Sequence, residues 1–131
     1  MLRGGLHDEA LTGSVIGAFY EVYDVLGFGL LEPLYVAALA RELNDRGHDV
    51  VRELTVEVIY KGEPIGCQRL DLVVDRRLVV EVKSTRILSP TATRQLYNYL
   101  HATQLEVGLL LHFGPEPQFY RVVRLDGKRR A

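Results

Sequence analysis

The sequence predicts an α/β (α+β) domain, a sandwich in which a mixed β-sheet is flanked by helices. Three observations predict it. Apolar residues recur at helical spacing from about Asp8 to Gly47, the texture changes to alternation from Val50, and a further helical stretch stands between later apolar strands. Helices and strands are thus interleaved along one chain, which a layered α/β arrangement accommodates.

The elements follow in order. A first helix runs from about Asp8 to Leu26, with Leu11, Val15, Ala18, Phe19, Val22 and Leu26 on its apolar stripe. Gly27, Phe28 and Gly29 break that pattern. A second helix starts near Glu32 with Pro33 in its first turn, where a missing N–H leaves no bond unmade. It carries Leu34, Ala37, Ala38, Leu39 and Leu43 and stops at Gly47, a residue suited to a left-handed terminator. Val50, Leu54, Val56, Val58 and Tyr60 read as a strand closed by the turn-like Lys61-Gly62-Glu63-Pro64. A second strand covers about Ile65 to Val74 and a third Leu78 to Ser84, separated by Asp75-Arg76-Arg77. Ser89 and Pro90 suit a helix cap and first position, so Thr91 to Ala102 read as a helix. Strands at about Glu106 to Phe113 and Gln118 to Leu125 complete the chain on either side of Gly114-Pro115.

At 131 residues and 47% hydrophobic content the chain has enough apolar material for one real core. No repeat, low-complexity run or linker divides residues 1–131, so one domain is expected. The longest apolar runs, such as Val107 to Leu111, are far shorter than the roughly 20 residues of a spanning helix. The N-terminus lacks a basic start followed by an apolar stretch, and a soluble, cytoplasmic protein with no membrane partner is expected. The single cysteine, Cys67, excludes an internal disulfide and any cysteine-clustered zinc or iron–sulfur site. Its expected role is that of a small buried or half-buried hydrophobe. His7, His48, His101 and His112 show no metal-ligand spacing and are expected as surface or core residues.

The segment from Arg69 to Lys83 carries the chemistry. With its turn centred on Arg76, Val74 faces Leu78, Leu72 faces Val80 and Leu70 faces Val82, so one side of the hairpin is apolar and is assigned to the core. On the other side Val73 meets Val79, Asp71 meets Glu81 and Arg69 meets Lys83. Carboxylates opposite each other on neighbouring strands have Cβ atoms roughly 5 Å apart and repel unless something compensates. A divalent cation with a preference for oxygen, Mg²⁺ or Mn²⁺, is the natural compensator. Lys83 projects from the same face as Glu81, where an ammonium can orient a water or stabilise charge on a phosphate. The same pattern also describes an ordinary solvated face on which Arg69 and Lys83 pair with the acids. The net charge of −1 gives no global attraction for nucleic acid, so binding must rest on a local patch or on a bound cation. Arg69, Arg76, Arg77, Lys83, Arg86 and Arg94 are expected around the candidate site, and Lys128, Arg129 and Arg130 as a solvated tail.

Arg69-Leu70-Asp71 followed by Glu81-Val82-Lys83 resembles the PD-(D/E)XK nuclease signature, with Leu70 in place of the usual proline. Gln95-Leu96-Tyr97-Asn98-Tyr99 is similar to the Q-x-x-x-Y motif of the RecB-like branch, and Gln95 and Tyr99 share one helical face. Gly29-Leu30-Leu31-Glu32-Pro33-Leu34-Tyr35 resembles the motif that names the GxxExxY family of small proteins in that superfamily. The similarity continues through Glu53, Tyr60-Lys61-Gly62 and Gly108-Leu109-Leu110-Leu111, with His112 where such sequences more often have asparagine. The resemblance implies a restriction-endonuclease-like core in which Glu32 reaches the acidic site from its helix. It further implies that Asp71, Glu81 and the Val82 carbonyl bind metal, that Lys83 serves catalysis, and that Gln95 contacts a phosphate or water. From the residues alone, Glu32 is equally a helix-start carboxylate favoured by the macrodipole, Glu53 an edge charge, Gln95 an exposed helical glutamine and Tyr35 a packing residue.

The function expected is a metal-dependent phosphodiesterase acting on DNA or RNA, with Asp71 and Glu81 holding Mg²⁺ or Mn²⁺ and Lys83 assisting the attacking water. The alternative is a non-catalytic nucleic-acid- or protein-binding module that retains the nuclease fold. A third reading is hydrolysis of another phosphate ester. A targeting protein partner and a homodimer are compatible with the sequence and selected by nothing in it.

Overall fold

The computed structural model describes residues 8–125. His7 and the basic run Lys128, Arg129 and Arg130 lie outside the described residues. Within them the chain runs α1 (Glu9–Leu26), α2 (Glu32–Asp45), β1 (Val50–Tyr60), β2 (Glu63–Val74), β3 (Leu78–Lys83), α3 (Ala92–Thr103), β4 (Val107–Phe113) and β5 (Pro117–Val123). The strands form a mixed sheet in chain order, β1-β2-β3-β4-β5. Only β3 and β4 run parallel. A parallel pair needs a crossover rather than a tight turn, and α3 supplies it.

The sheet is covered on both faces. On one, α1 and α2 bury Val15, Phe19, Leu39 and Leu43 against Leu72, Val80, Leu109 and Leu111. On the other, Ala92, Leu96 and Leu100 of α3 pack on Val73, Val79 and Leu110. Each fully buried Leu or Phe contributes roughly 1.5–3 kcal/mol of transfer free energy. The two faces explain why every residue of β4 is buried, Val107 to Phe113 alike. They also explain the glycine near its start. A Cβ on Gly108 would meet Leu96 Cδ1 at 2.8 Å, so α3 rests on bare backbone there.

Several helix details differ from the sequence expectation. The buried face of α2 is Tyr35, Val36, Leu39, Ala40 and Leu43, whereas Leu34 and Ala37 are exposed. Tyr35 is drawn in because its ring stacks on Phe113 at 3.9 Å between centroids, a contact that helical periodicity alone does not reveal. Helix α3 begins at Ala92, one residue after the expected Thr91, with Thr91 rather than Ser89 in the cap position and the Ser89 hydroxyl accepting from the Thr91 N–H. Cys67 is an exposed thiol on β2, not a half-buried hydrophobe, because the outer part of the β1–β2 hairpin extends beyond the helices.

The hairpin register is the expected one where it forms: Leu72 opposite Val80, Val73 opposite Val79, and Val74 opposite Leu78. The faces differ. Val73 and Val79 are buried under α3 rather than solvated, and Leu70 packs with them instead of with Leu72. Residues two apart on a regular strand share a face, so the faces exchange at Asp71. The neighbouring strand exchanges too, since Val50 packs on the α1/α2 side and Val56 on the α3 side. Between them, opposite Asp71, Glu53 adopts a left-handed backbone with φ 56°. For a residue with a Cβ that conformation costs roughly 1–2 kcal/mol, and such strain gathers at functional sites.

Candidate active site

The exchange of faces at Asp71 builds the site. The β2–β3 ladder stops at Leu72 and Val80, and one residue further the Asp71 side chain takes over as acceptor. Its Oδ2 receives the Val82 N–H at 2.8 Å. Glu81 lies on β3 between Val80 and Val82, in parallel register with Leu110 of β4, and is only 6% exposed. The face assigned to solvent is therefore covered, because α3 lies over it. Lys83 Nζ stands 3.9 Å from Glu81 Oε2.

Glu32 joins from the first turn of α2, where the helix dipole favours a carboxylate. Its Oε2 accepts the Ser84 N–H at 3.1 Å, linking the start of α2 to the end of β3. The Ser84 hydroxyl donates in turn to the Leu30 carbonyl. Tyr35 closes the α1–α2 loop: its hydroxyl donates to the Gly27 carbonyl and accepts the Leu30 N–H. Gly29, at φ 111°, supplies a turn that a side chain would strain. The Gly29, Glu32 and Tyr35 spacing thus reads as one device, a positive-φ turn, a carboxylate aimed at β3 and a phenol that fixes the loop.

The electrostatics show how close these groups are. Burial pushes the Glu81 carboxyl up to about 8; the Asp71 carboxylate adds to the rise and Glu32 adds further, against the pull of Lys83. Asp71 is raised as well, first by burial and then by Glu32, while the Val82 N–H, Lys83 and Arg69 pull it down. The Tyr99 phenol on α3 is raised by burial and by the charges of Glu81 and Asp71, so it faces the acids. Gln95, one turn earlier on α3, is exposed.

Asp71, Glu81, Lys83, Glu32 and the Val82 backbone are brought together, whereas Gln95 forms no hydrogen bond with them and is exposed on α3. Arg76 and Arg77 are not. They occupy the β2–β3 turn at the other end of the strands, where Arg76 pairs with Asp49 at 3.7 Å and Arg77 with Asp8 at 3.3 Å. Two contributors were passed over by sequence reasoning, Ser84 and His112. His112, buried on β4, bonds through Nε2 to the Thr85 carbonyl at 2.8 Å and to its hydroxyl at 3.1 Å, fixing the chain just after Lys83. The local sequence gives no signal for either, since both bonds span distant segments.

The donor set fits a hard divalent cation. Glu81 Oε1 is buried with no hydrogen-bond partner, and two raised carboxylates share the pocket. Carboxylate oxygens are what Mg²⁺ and Mn²⁺ take, often only one or two from the protein. Among the described residues no group of three or more His, Cys, Asp or Glu side chains is placed to hold a metal ion together, so the protein's side-chain share rests on the acid pair.

The fold is a mixed sheet sandwiched by helices, with an acid pair and a lysine where two central strands diverge. The family model of the PD-(D/E)XK nuclease superfamily matches residues 9–124, and the chain belongs to that superfamily. Its members generally use divalent metal ions. Among solved structures the chain is similar to SSO0001, with a TM-score of 0.58 and 21% identity over 72% of this chain and 50% of that one. The chain therefore spans half the length of that protein, and the likeness is one of fold. An alkaline exonuclease (LHK-Exo) from Laribacter hongkongensis aligns with a TM-score of 0.48 and 14% identity, over 83% of this chain and 77% of that one. The comparison with curated proteins gives no match. No helix among the described residues is long and apolar enough to cross a membrane.

Proposed function

We propose that the protein is a metal-dependent phosphodiesterase cutting DNA or RNA at the Asp71–Glu81 site. The observation that carries this reading is the buried, unpartnered Glu81 oxygen beside a second raised carboxylate and a lysine. Two acids so placed are strained without a counter-charge, and the arrangement makes chemical sense around a cation. Asp71, Glu81, the Val82 carbonyl and Glu32 would hold Mg²⁺ or Mn²⁺, which when bound supplies a neutralising charge, polarises a phosphodiester and lowers the pKa of a water.

The chain's own groups do the rest. Lys83 presents a positive charge next to Glu81, suited to orienting a water nucleophile and to stabilising charge that develops on the phosphate. Tyr99 on α3 feels the charges of both acids, and the exposed amide of Gln95, one turn earlier on the same helix, is assigned a hydrogen bond to a phosphate oxygen. The narrower resemblance to the GxxExxY family supports giving Glu32 a part, since the motif's three named residues act together in the structure.

The test is incubation of purified protein with single- and double-stranded DNA and RNA, with Mn²⁺ or with EDTA. Cleavage that needs Mn²⁺ and disappears in Asp71→Ala is expected. Failure on all four polymers, or cleavage that survives Asp71→Ala, would sink the proposal. A second reading, a binding module that keeps the fold without cutting, is favoured by one observation, the absence of an assembled cage among the described residues. Calorimetry with Mn²⁺ separates the two, because the binding module has no need of the ion.

A further inference from the structure

Beside the acids lies a cleft that the cutting chemistry leaves unused. It has a volume of about 510 Å³ and is walled by the Phe28–Pro33 loop on one side and by Ser84, Thr85 and Arg86 on the other. Sites for small molecules and cofactors fall in the range of about 300–1,000 Å³. The cleft is continuous with the acidic site, since Glu32 lines it and bonds Ser84 across it.

The mouth of the cleft is chemically mixed. Phe28 is 42% exposed and Leu31 74% exposed, apolar surface on a loop that packing does not require. Arg86 opposite is an exposed cation. An aromatic ring, an aliphatic neighbour and a guanidinium around one cleft match a flat heteroaromatic base joined to a phosphate. We propose that this cleft takes one unpaired nucleotide of the strand being cut, with its base against Phe28 and Leu31 and its flanking phosphate on Arg86.

Charge sets the orientation. Arg86 is the cation among the residues lining the cleft, so the flanking phosphate rests on it, across from the base on Phe28 and Leu31. The walls are also held in place beforehand, by Tyr35 across the loop, by the Ser84 hydroxyl on Leu30 and by His112 on Thr85. A preformed cleft saves the ordering cost that a floppy loop would impose on binding. An unpaired strand is favoured over a duplex for two reasons. Bases inside a duplex stack on one another and offer no free face, and a net charge of −1 gives no global field to attract the dense phosphates of a duplex.

The proposal rests on the nuclease reading for the strand's path, and its test is independent of cleavage. Fluorescence anisotropy, with EDTA and again with Ca²⁺, compares a labelled single-stranded oligonucleotide, the matching blunt duplex and a competing mononucleotide. Single strands should bind about tenfold more tightly than duplex, and Phe28→Ala and Arg86→Ala should each weaken single-strand binding about tenfold. Both side chains are exposed, so the melting temperature and Mn²⁺ affinity should not move. Equal affinity for single strand and duplex, or no effect of either substitution, would overturn the assignment. A mononucleotide that competes as well as the oligonucleotide would assign the cleft to free nucleotides and overturn the strand. Protein that binds single strands through Phe28 and Arg86 but cuts nothing keeps this inference and loses the nuclease, whereas cleavage indifferent to both substitutions does the reverse.

Discussion

Glu81 concentrates the energetic tension of the chain in one side chain. It sits on the central strand under α3 with one oxygen unpartnered, and its carboxyl is raised to about 8 by burial first and by Asp71 second. The folded group keeps its proton up to about 8 while the unfolded one releases it near 4.5. Between those values the native state binds more protons than the unfolded state, so stability falls as pH rises through the window. Asp71, raised for the same main reason, acts with the same sign. The expected outcome is that metal-free protein resists urea better at about pH 5 than at about pH 8.5, by an amount on the order of a few kcal/mol. Glu81→Gln should remove most of that slope and stabilise the metal-free protein at the higher pH, and Mn²⁺ should stabilise the wild type there and not the variant. Urea titrations with EDTA and with Mn²⁺ read all three. A flat wild-type profile would mean that the carboxyl is not buried as described.

Between elements, a second polar chain lies at the opposite end of the sheet from the acids. The Ser14 hydroxyl on α1 bonds His48 Nε2 at 2.8 Å, and His48 Nδ1 bonds Asp75 Oδ2 at 2.8 Å. Asp75 Oδ1 accepts the Asp49 N–H at 2.8 Å. The chain links α1, the α2–β1 turn and the β2–β3 turn, where Asp75 and Arg76 both hold a left-handed backbone. Burial alone would raise the Asp75 carboxyl, but the Asp49 N–H and His48 outweigh it and hold the group below 3.8. A depressed acid stabilises above its unfolded value, and the contribution is lost as pH falls through the folded one. Asp75→Asn should therefore flatten the acid limb of the stability profile below about pH 4, and His48→Ala should cost about 1–2 kcal/mol at neutral pH. Thermal and urea unfolding check both. An unchanged acid limb in Asp75→Asn would remove this clamp from the account.

At the scale of the whole molecule, near-neutral charge governs how nucleic acid is held. With a net charge of −1 the chain offers no global attraction, so phosphate contacts are expected to be few and local, from Arg86 in the cleft wall and Lys83 beside Glu81. For single strands each phosphate contact contributes about −0.7 to the slope of log binding constant against log salt, so a slope near −1.4 is expected. Anisotropy over a salt series measures it. A slope steeper than about −3 would show a broad phosphate-binding face and contradict the single-nucleotide contact.

Much of this architecture was legible in the sequence, because periodicity, turn residues and caps are local properties. Alternation marked β1, the apolar partners around Arg76 set the β2–β3 register, and the spacing of Asp71, Glu81 and Lys83 marked the acid hairpin. The three-dimensional packing decided the rest. Alternation tells which residues share a face but not what covers that face, and so the burial of Glu81 by α3 and the transfer of Leu70 to the α3 side were invisible. Charge along the chain likewise carries no direction, which is why Arg76 and Arg77 turned out to lie away from the acids. The links from Glu32 to Ser84, from Tyr35 to its own loop and from His112 to Thr85 form only when distant or turning segments meet. The sequence alone determined the element order and which side chains were candidates for the site; tertiary structure decided which of them are dry, paired or strained, because those depend on neighbours that only folding supplies.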